Sequence, residues 1–445
     1  SVIIHRGKAR LFREGNPLVY GGAVKKVEGG VPAPGDVVDV RDASGKFIAW
    51  GVYNPDSMYR VRILARDGDH LAEGRDVPQV LRERLRAARA ARRALGLPNE
   101  ATDAYRCVNG EGDRLSGLVV DILGGVVAVS SSALWVELQR PAIEAALREE
   151  FGPGAKIVWR PSDGRLQQDG WKASPRPAVA AELPGLGPVA GGGAGREGAA
   201  DGDEGPEGEE RGSERVGPGS EPPPRHVIKE LGIKYLVQPH FGQKTGFYCD
   251  QRESRASLRG LSSGKSVLDM FCFSGGFALN ALAGGAEAVV AVDSSQVALA
   301  AAEENARLNG LGGALEEGRL RLEKGDALAF MGAAAERGES WDIVVLDPPK
   351  LAPNKKSLAR ATGLYRRLNA AALRLVVPGG GLLLTYTCSA AMTQSGGFVG
   401  VVQDAAEAAG RTCTLLRAVG PAADHAVNPC YQEGAYLTGA LFYVT

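Results

Sequence analysis

From residue 226 onward the chain alternates near-continuous apolar runs with helix-patterned stretches. That alternation restricts the fold to an open parallel sheet covered on both faces. The apolar runs fall at 266–270, 288–292, 319–323, 342–346 and 381–386. Strands buried on both faces read as unbroken Val/Ile/Leu segments rather than alternating ones. Between them, 277–283, 296–309 and 356–376 carry helical spacing, so the pattern predicts a doubly wound α/β domain over 225–445. Open sheets of this kind bind ligands in the crevice outside the carboxyl ends of their strands. Asp269, Asp293, Asp326 and Asp347 all stand at or next to those ends.

The first strand runs into Phe271-Cys272-Phe273-Ser274-Gly275-Gly276, a glycine-containing turn that opens a helix. Glycines let backbone approach a ligand, and a helix N-terminus offers unpaired N–H groups. The spacing is not the GxGxxG of nicotinamide enzymes. Asp293, with Ser294 beside it, is placed for ribose hydroxyls. Asp326 and Ala327 follow the third strand, where a carboxylate can accept from an adenine amine, and Asp347 follows the fourth. Taken singly, Asp269 and Asp293 could each be helix caps, and Cys272 reads best as a packing residue. Taken together, the acids and the Gly-Gly turn resemble the order in class I S-adenosylmethionine-dependent methyltransferases, which implies S-adenosyl-L-methionine as cofactor.

The chemistry is written in two short motifs. Asp347-Pro348-Pro349-Lys350 follows one strand and Thr385-Tyr386-Thr387-Cys388-Ser389 closes another, so a thiol and a carboxylate-proline-proline loop can share one sheet edge. Carbon 5 of cytosine is a poor nucleophile until a thiolate adds at carbon 6. Cys388 suits that addition, and Asp347 suits a hold on nitrogen 3 as charge develops. Enzymes that methylate a base nitrogen through an Asp/Asn-Pro-Pro loop resemble a family with an aromatic after the prolines, where this chain has Lys350. Two alternatives remain: a guanine or adenine N-methyltransferase using the loop alone, and a non-catalytic RNA-binding or ribosome-assembly factor that kept the fold.

Ahead of this domain, β-type runs at 17–20, 36–40, 47–53 and 59–64 suggest a small barrel or sandwich over 1–68. A helix is expected over 78–95 with Leu81, Leu85, Ala88 and Leu95 inward and Arg82, Arg86, Arg89 and Arg93 solvated. Strand patterns at 118–122 and 126–130, a helix over 138–151 and a strand at 156–159 make 69–172 an α+β unit. The stretch 173–224 is rich in Gly, Glu and Pro and is expected to be a disordered acidic insert. Within 191–224 nine carboxylates face three arginines. The insert thus carries −6 in a chain of formal charge zero, leaving the remainder at +6. A mildly basic folded part permits a nucleic-acid partner. Six scattered cysteines without a CxxC pair form no zinc or disulfide framework and suit a reducing compartment. No apolar run approaches the roughly 20 residues of a membrane span.

The Thr-Cys-Ser run resembles the nucleophile motif of RNA cytosine-5 methyltransferases. The resemblance narrows at 241–252, Phe-Gly-Gln-Lys-Thr-Gly-Phe-Tyr-Cys-Asp-Gln-Arg, at 109–118, and at Ala423-Asp424-His425 with 433–437. These are similar to the PUA-domain-containing 23S ribosomal RNA cytosine-5 methyltransferases across nearly the whole chain except the acidic insert. The resemblance implies an N-terminal PUA-like RNA-binding domain, a central α+β domain and a catalytic domain. It also implies Gln251 and Arg252 at the cofactor's methionine end, and Lys350 and Tyr365 toward RNA. His425 reads as structural. Some members carry a second cysteine after the paired prolines, where this chain has Lys350. The target cytosine must be unstacked to reach Cys388, and the loop 350–357 would clamp it. The compartment implied is cytoplasmic for a bacterial protein, or plastid or mitochondrial for an algal one.

Overall fold

The computed structural model describes residues 1–171, 224–240, 246–352, 354 and 356–445. The acidic insert, the first five residues of the motif at 241–252 and two positions of the loop 350–357 therefore lie outside the described residues.

The C-terminal unit is built on a seven-stranded sheet. Its strands are β1 (Ser266–Met270), β2 (Ala288–Asp293), β3 (Leu320–Lys324), β4 (Ile343–Leu346), β5 (Gly381–Thr387), β6 (Cys413–Val419) and β7 (Thr438–Val444). The order across the sheet is β3-β2-β1-β4-β5-β7-β6. The first five are parallel, and β7 runs antiparallel to both β5 and β6. The chain reverses direction of travel at β1 and β4, which makes the edge beyond them the topological switch point.

Both faces are covered, as the apolar strand runs require. One face packs Leu268, Met270, Val344 and Leu346 against α4 (Ala327–Glu336), α5 (Leu358–Arg374) and α6 (Phe398–Ala409). The other sets Val267, Val289, Ile343 and Val345 against α1 (Arg252–Leu261), α2 (Gly276–Ala283) and α3 (Gln296–Leu308). Each such side chain, removed fully from water, contributes about 1.5–3 kcal/mol.

Residues 1–66 form one six-stranded sheet rather than the two sheets of a sandwich. The long helix runs Val77–Ala94, and Leu81, Leu85 and Ala88 are buried. Leu95, expected inward, is 48% exposed because the helix ends just before it. The polar residue that goes inward is Arg92, 1% exposed. The middle unit is a four-stranded sheet whose edge strand, Ala104–Asn109, has no simple apolar pattern because it carries Arg106 inward against Asp121.

Candidate functional site

Asp269 ends β1 with no exposed surface. Its Oδ2 accepts from the Ala278 N–H in the first turn of α2 at 2.9 Å, and its Oδ1 has no hydrogen-bond partner. Burial pushes this carboxyl up to about 8, and Asp347 and Asp293 push in the same direction. The turn after it is strained, since Phe271 and Phe273 take φ of 63° and 49°. Left-handed backbone at non-glycine residues costs about 1–3 kcal/mol each and gathers at ligand sites. The turn is held by Cys272 N–H on the Val292 carbonyl (3.0 Å), Phe273 N–H on Asp293 Oδ2 (2.9 Å) and Asn305 Nδ2 on the Ser274 carbonyl (3.1 Å). Gly275 has φ +81°, and a Cβ on Gly276 would stand 3.0 Å from Arg255 Cδ. Gly275 is thus required by the left-handed backbone of the turn, while a side chain at Gly276 would press on Arg255.

The second acid, Asp293, also accepts from Ser295 N–H at 2.8 Å, with Ser294 exposed beside it. Asp326 caps α4 through Ala329 N–H at 3.0 Å and is otherwise exposed, while Ala327 is buried. Asp347 receives Gln251 Nε2 at 3.1 Å. A sheet edge with an unpartnered buried carboxyl oxygen on Asp269, beside the further acids Asp293 and Asp347, fits a ligand bearing positive charge, because a cation offsets their charge. S-adenosylmethionine has such a charge, and Asp269, Asp293, Asp326 and the 271–276 turn are the residues that would hold it.

Cys388 follows directly on β5 and is half-buried, with its Sγ 3.8 Å from the Pro348 carbonyl oxygen. The fold therefore brings the thiol to the Asp347-Pro348-Pro349 loop. A buried hydroxyl cluster fixes the two together. Ser389 Oγ accepts from Leu351 N–H (3.1 Å) and Ala352 N–H (3.0 Å). It also lies 2.9 Å from Tyr365 Oη, which accepts from Thr387 Oγ1 at 2.7 Å. Lys350 is exposed on the same loop.

Two expectations are corrected here. Tyr365 has no exposed surface; its hydroxyl latches the loop and cannot meet RNA. Arg252, 4% exposed, has its guanidinium engaged elsewhere: it bonds Asp424 at 2.8 and 3.1 Å and the Ala104 carbonyl at 3.5 Å. Gln251, also buried, orients Asp347, and its Oε1 has no hydrogen-bond partner. His425 is buried with Nδ1 3.0 Å from Asp424 Oδ1.

Asp424 is the residue the sequence reading undervalued. It accepts from Arg252, from His425 and from the Arg106 N–H at 2.8 Å, while its carbonyl takes Arg92 Nη2. Arg92 also pairs with Asp113. The tail, the middle sheet and the start of α1 thus meet on one carboxylate, whose acidity these partners increase. A short Asp-His pair in a polar tail carries no periodic signal that would reveal this.

Residues 2–66 match the family model of a PUA-like domain, and residues 217–424 match that of an S-adenosylmethionine-dependent methyltransferase. Fold and site define an S-adenosylmethionine-dependent methyltransferase that carries a PUA-like domain. The structure is similar to the crystal structure of a methyltransferase complexed with SAH, at TM-score 0.74 and 20% identity over 99% of each chain. Among curated relatives, ribosomal RNA large subunit methyltransferase I of Erwinia tasmaniensis is 32% identical over 98% of both chains. That of Cronobacter sakazakii is 32% identical over 100% of this chain and 99% of its own. The chain belongs to the ribosomal RNA large subunit methyltransferase I family.

Proposed function

We propose that the protein methylates carbon 5 of a cytosine in large-subunit ribosomal RNA through a covalent Cys388–cytosine adduct. The observation that carries this reading is Cys388 Sγ lying 3.8 Å from the Pro348 carbonyl, which places a thiol at the loop that begins with Asp347. The names of the bacterial relatives support rRNA as the substrate. S-adenosylmethionine supplies, when bound, an electrophilic methyl group.

The Cys388 thiolate adds to carbon 6, and the electron pair of the 5,6 double bond becomes available at carbon 5. Asp347, aimed by Gln251, acts as a carboxylic acid and shares its proton with nitrogen 3 as negative charge grows there. Once carbon 5 is methylated, it gives its proton to a base, with solvent water as the final acceptor. The recovered electron pair reforms the double bond and expels the Cys388 thiolate, so the enzyme is regenerated. The target must be unstacked first, and the loop bearing Lys350 is placed to cover it. The setting is cytoplasmic, on free or partly assembled large-subunit rRNA. None of the described helices is long and apolar enough to cross a membrane.

The test is incubation with labelled S-adenosylmethionine and unmodified 23S-type rRNA, followed by digestion and mass spectrometry of the nucleosides. 5-Methylcytidine from wild type and none from Cys388→Ser is the expected result. A methylated purine, or unchanged product without the thiol, would move the function to nitrogen methylation.

A further inference from the structure

The surface beside this site has a charge distribution unlike the rest of the chain. Overall the protein is neutral, with 52 cations and 52 anions. Between Pro348 and Gln403 there is no Asp or Glu at all, against seven Lys and Arg. Six of these are described and exposed; Arg374 bonds the Ala408 carbonyl, which leaves five, Lys350, Lys356, Arg360, Arg366 and Arg367. None of the five forms an ion pair among the described residues, whereas Arg307, Arg319, Arg321 and Arg337 of the same domain each lie within ion-pair distance of a glutamate.

Helix α5 explains how they gather. At about 100° per residue, Arg360, Gly363, Arg366 and Arg367 fall within roughly a third of its circumference. Its opposite side buries Ala361, Tyr365, Leu368 and Ala372. The buried side holds the Tyr365–Ser389 latch one residue from Cys388, so the cationic side is carried by the element that fixes the nucleophile. Gly363 keeps the stripe low, leaving the guanidiniums open to a backbone laid along it. The first turn of α5 contains no acid to offset them.

We infer that the outer face of α5, continued by Lys356 and Lys350, is a docking surface for the phosphate backbone of the RNA flanking the target nucleotide. This rests on the RNA-substrate reading above and adds the track that the strand enters by. Exposed arginines without carboxylate partners are free to replace the counterions of a phosphate chain, which makes the contact salt-dependent and sequence-independent. A neutral protein thereby concentrates its attraction for a polyanion at one edge of its site.

The experiment compares wild type with Arg360→Gln/Arg366→Gln/Arg367→Gln for binding of a 23S-type rRNA transcript across a series of KCl concentrations. A matched control, Arg319→Gln/Arg321→Gln/Arg337→Gln, removes three arginines that already have carboxylate partners. The plot of log affinity against log salt should be shallower by about 2–3 in the first variant, close to one for each lost phosphate contact. It should be unchanged in the control. S-adenosylmethionine binding heat and melting temperature should match wild type in both, which confirms that the variants fold. Single Arg360→Gln and Arg367→Gln variants should each lower the slope by about one. A wild-type slope in the folded triple variant overturns the inference, even where wild type makes 5-methylcytidine. A shallower slope with no 5-methylcytidine from wild type keeps this surface and overturns the reaction alone.

Discussion

Replacing Ser389 by Ala removes one oxygen that three groups share, and the cost follows from what each is left with. The Ala352 amide is in a residue with no exposed surface and the Leu351 amide is half-buried; both donate to Ser389 Oγ. A buried donor left unpaired costs about 1–3 kcal/mol. Tyr365 keeps Thr387 as a partner and loses about 0.5–1.5 kcal/mol with its second hydroxyl contact. If the loop stayed in place, the sum would be about 2.5–7.5 kcal/mol, centred near 5. The loop can instead lift and hydrate both amides, so we expect local opening at roughly half that figure. A loss of about 2–3 kcal/mol raises exchange of the Ala352 amide some 30–150-fold, at tenfold per 1.4 kcal/mol. Hydrogen exchange resolved to the 351–352 peptide reads this directly. Steady-state turnover should show kcat falling more than KM rises, because the thiol and the Asp347 loop lose register while the RNA track on α5 is intact. Tyr365→Phe should give a smaller change of the same kind. Wild-type protection at Ala352 with wild-type kcat would refute the view that Ser389 fixes loop to nucleophile.

Two further outcomes follow from the buried charges. Asp424→Asn breaks a buried pair with Arg252, for which about 3–5 kcal/mol is expected; denaturant unfolding checks it, and a loss under about 1 kcal/mol would contradict the role of Asp424 in joining the units. Asp269 is the opposite case. Its folded value of about 8 lies above the ordinary carboxyl value of 3.8, so the folded state holds a proton that the unfolded chain gives up, and stability falls as pH rises toward 8. Asp269→Asn removes that fall. Melting measured without cofactor should show the variant's advantage widening from about pH 4 to about pH 8 and then levelling, whereas parallel curves would contradict the burial argument.

The parallel strands were legible because burial on both faces leaves runs such as 288–292 without a polar interruption. β6 is exposed along most of its length, so it carries no such run. The edge strand Ala104–Asn109 hides its nature behind Arg106, whose charge is satisfied by Asp121 fifteen residues away. At the site, Cys388 and Asp347 could be placed together because both end neighbouring strands, β5 and β4. The resemblance implies a cofactor contact for Arg252 and an RNA contact for Tyr365, yet each has its partners on distant segments, Asp424 and Ser389. Motif spacing reports which residues sit at an edge, not which way a side chain turns once there. The acid-free stretch after Asp347 was present in the sequence too, but only exposure on one side of α5 separates it from an ordinary solvated helix.

The covalent step is the central claim, and a trapped adduct tests it most directly. With 5-fluorocytidine in the rRNA, carbon 5 carries fluorine in place of the hydrogen that must leave, so the thiolate cannot be expelled after methylation. Wild type with S-adenosylmethionine should then give a denaturation-resistant protein–RNA complex, with the modified nucleotide on the peptide containing Cys388. Cys388→Ala should give none. Methyl transfer to RNA by wild type without such a complex, or an equal complex in Cys388→Ala, would contradict the account.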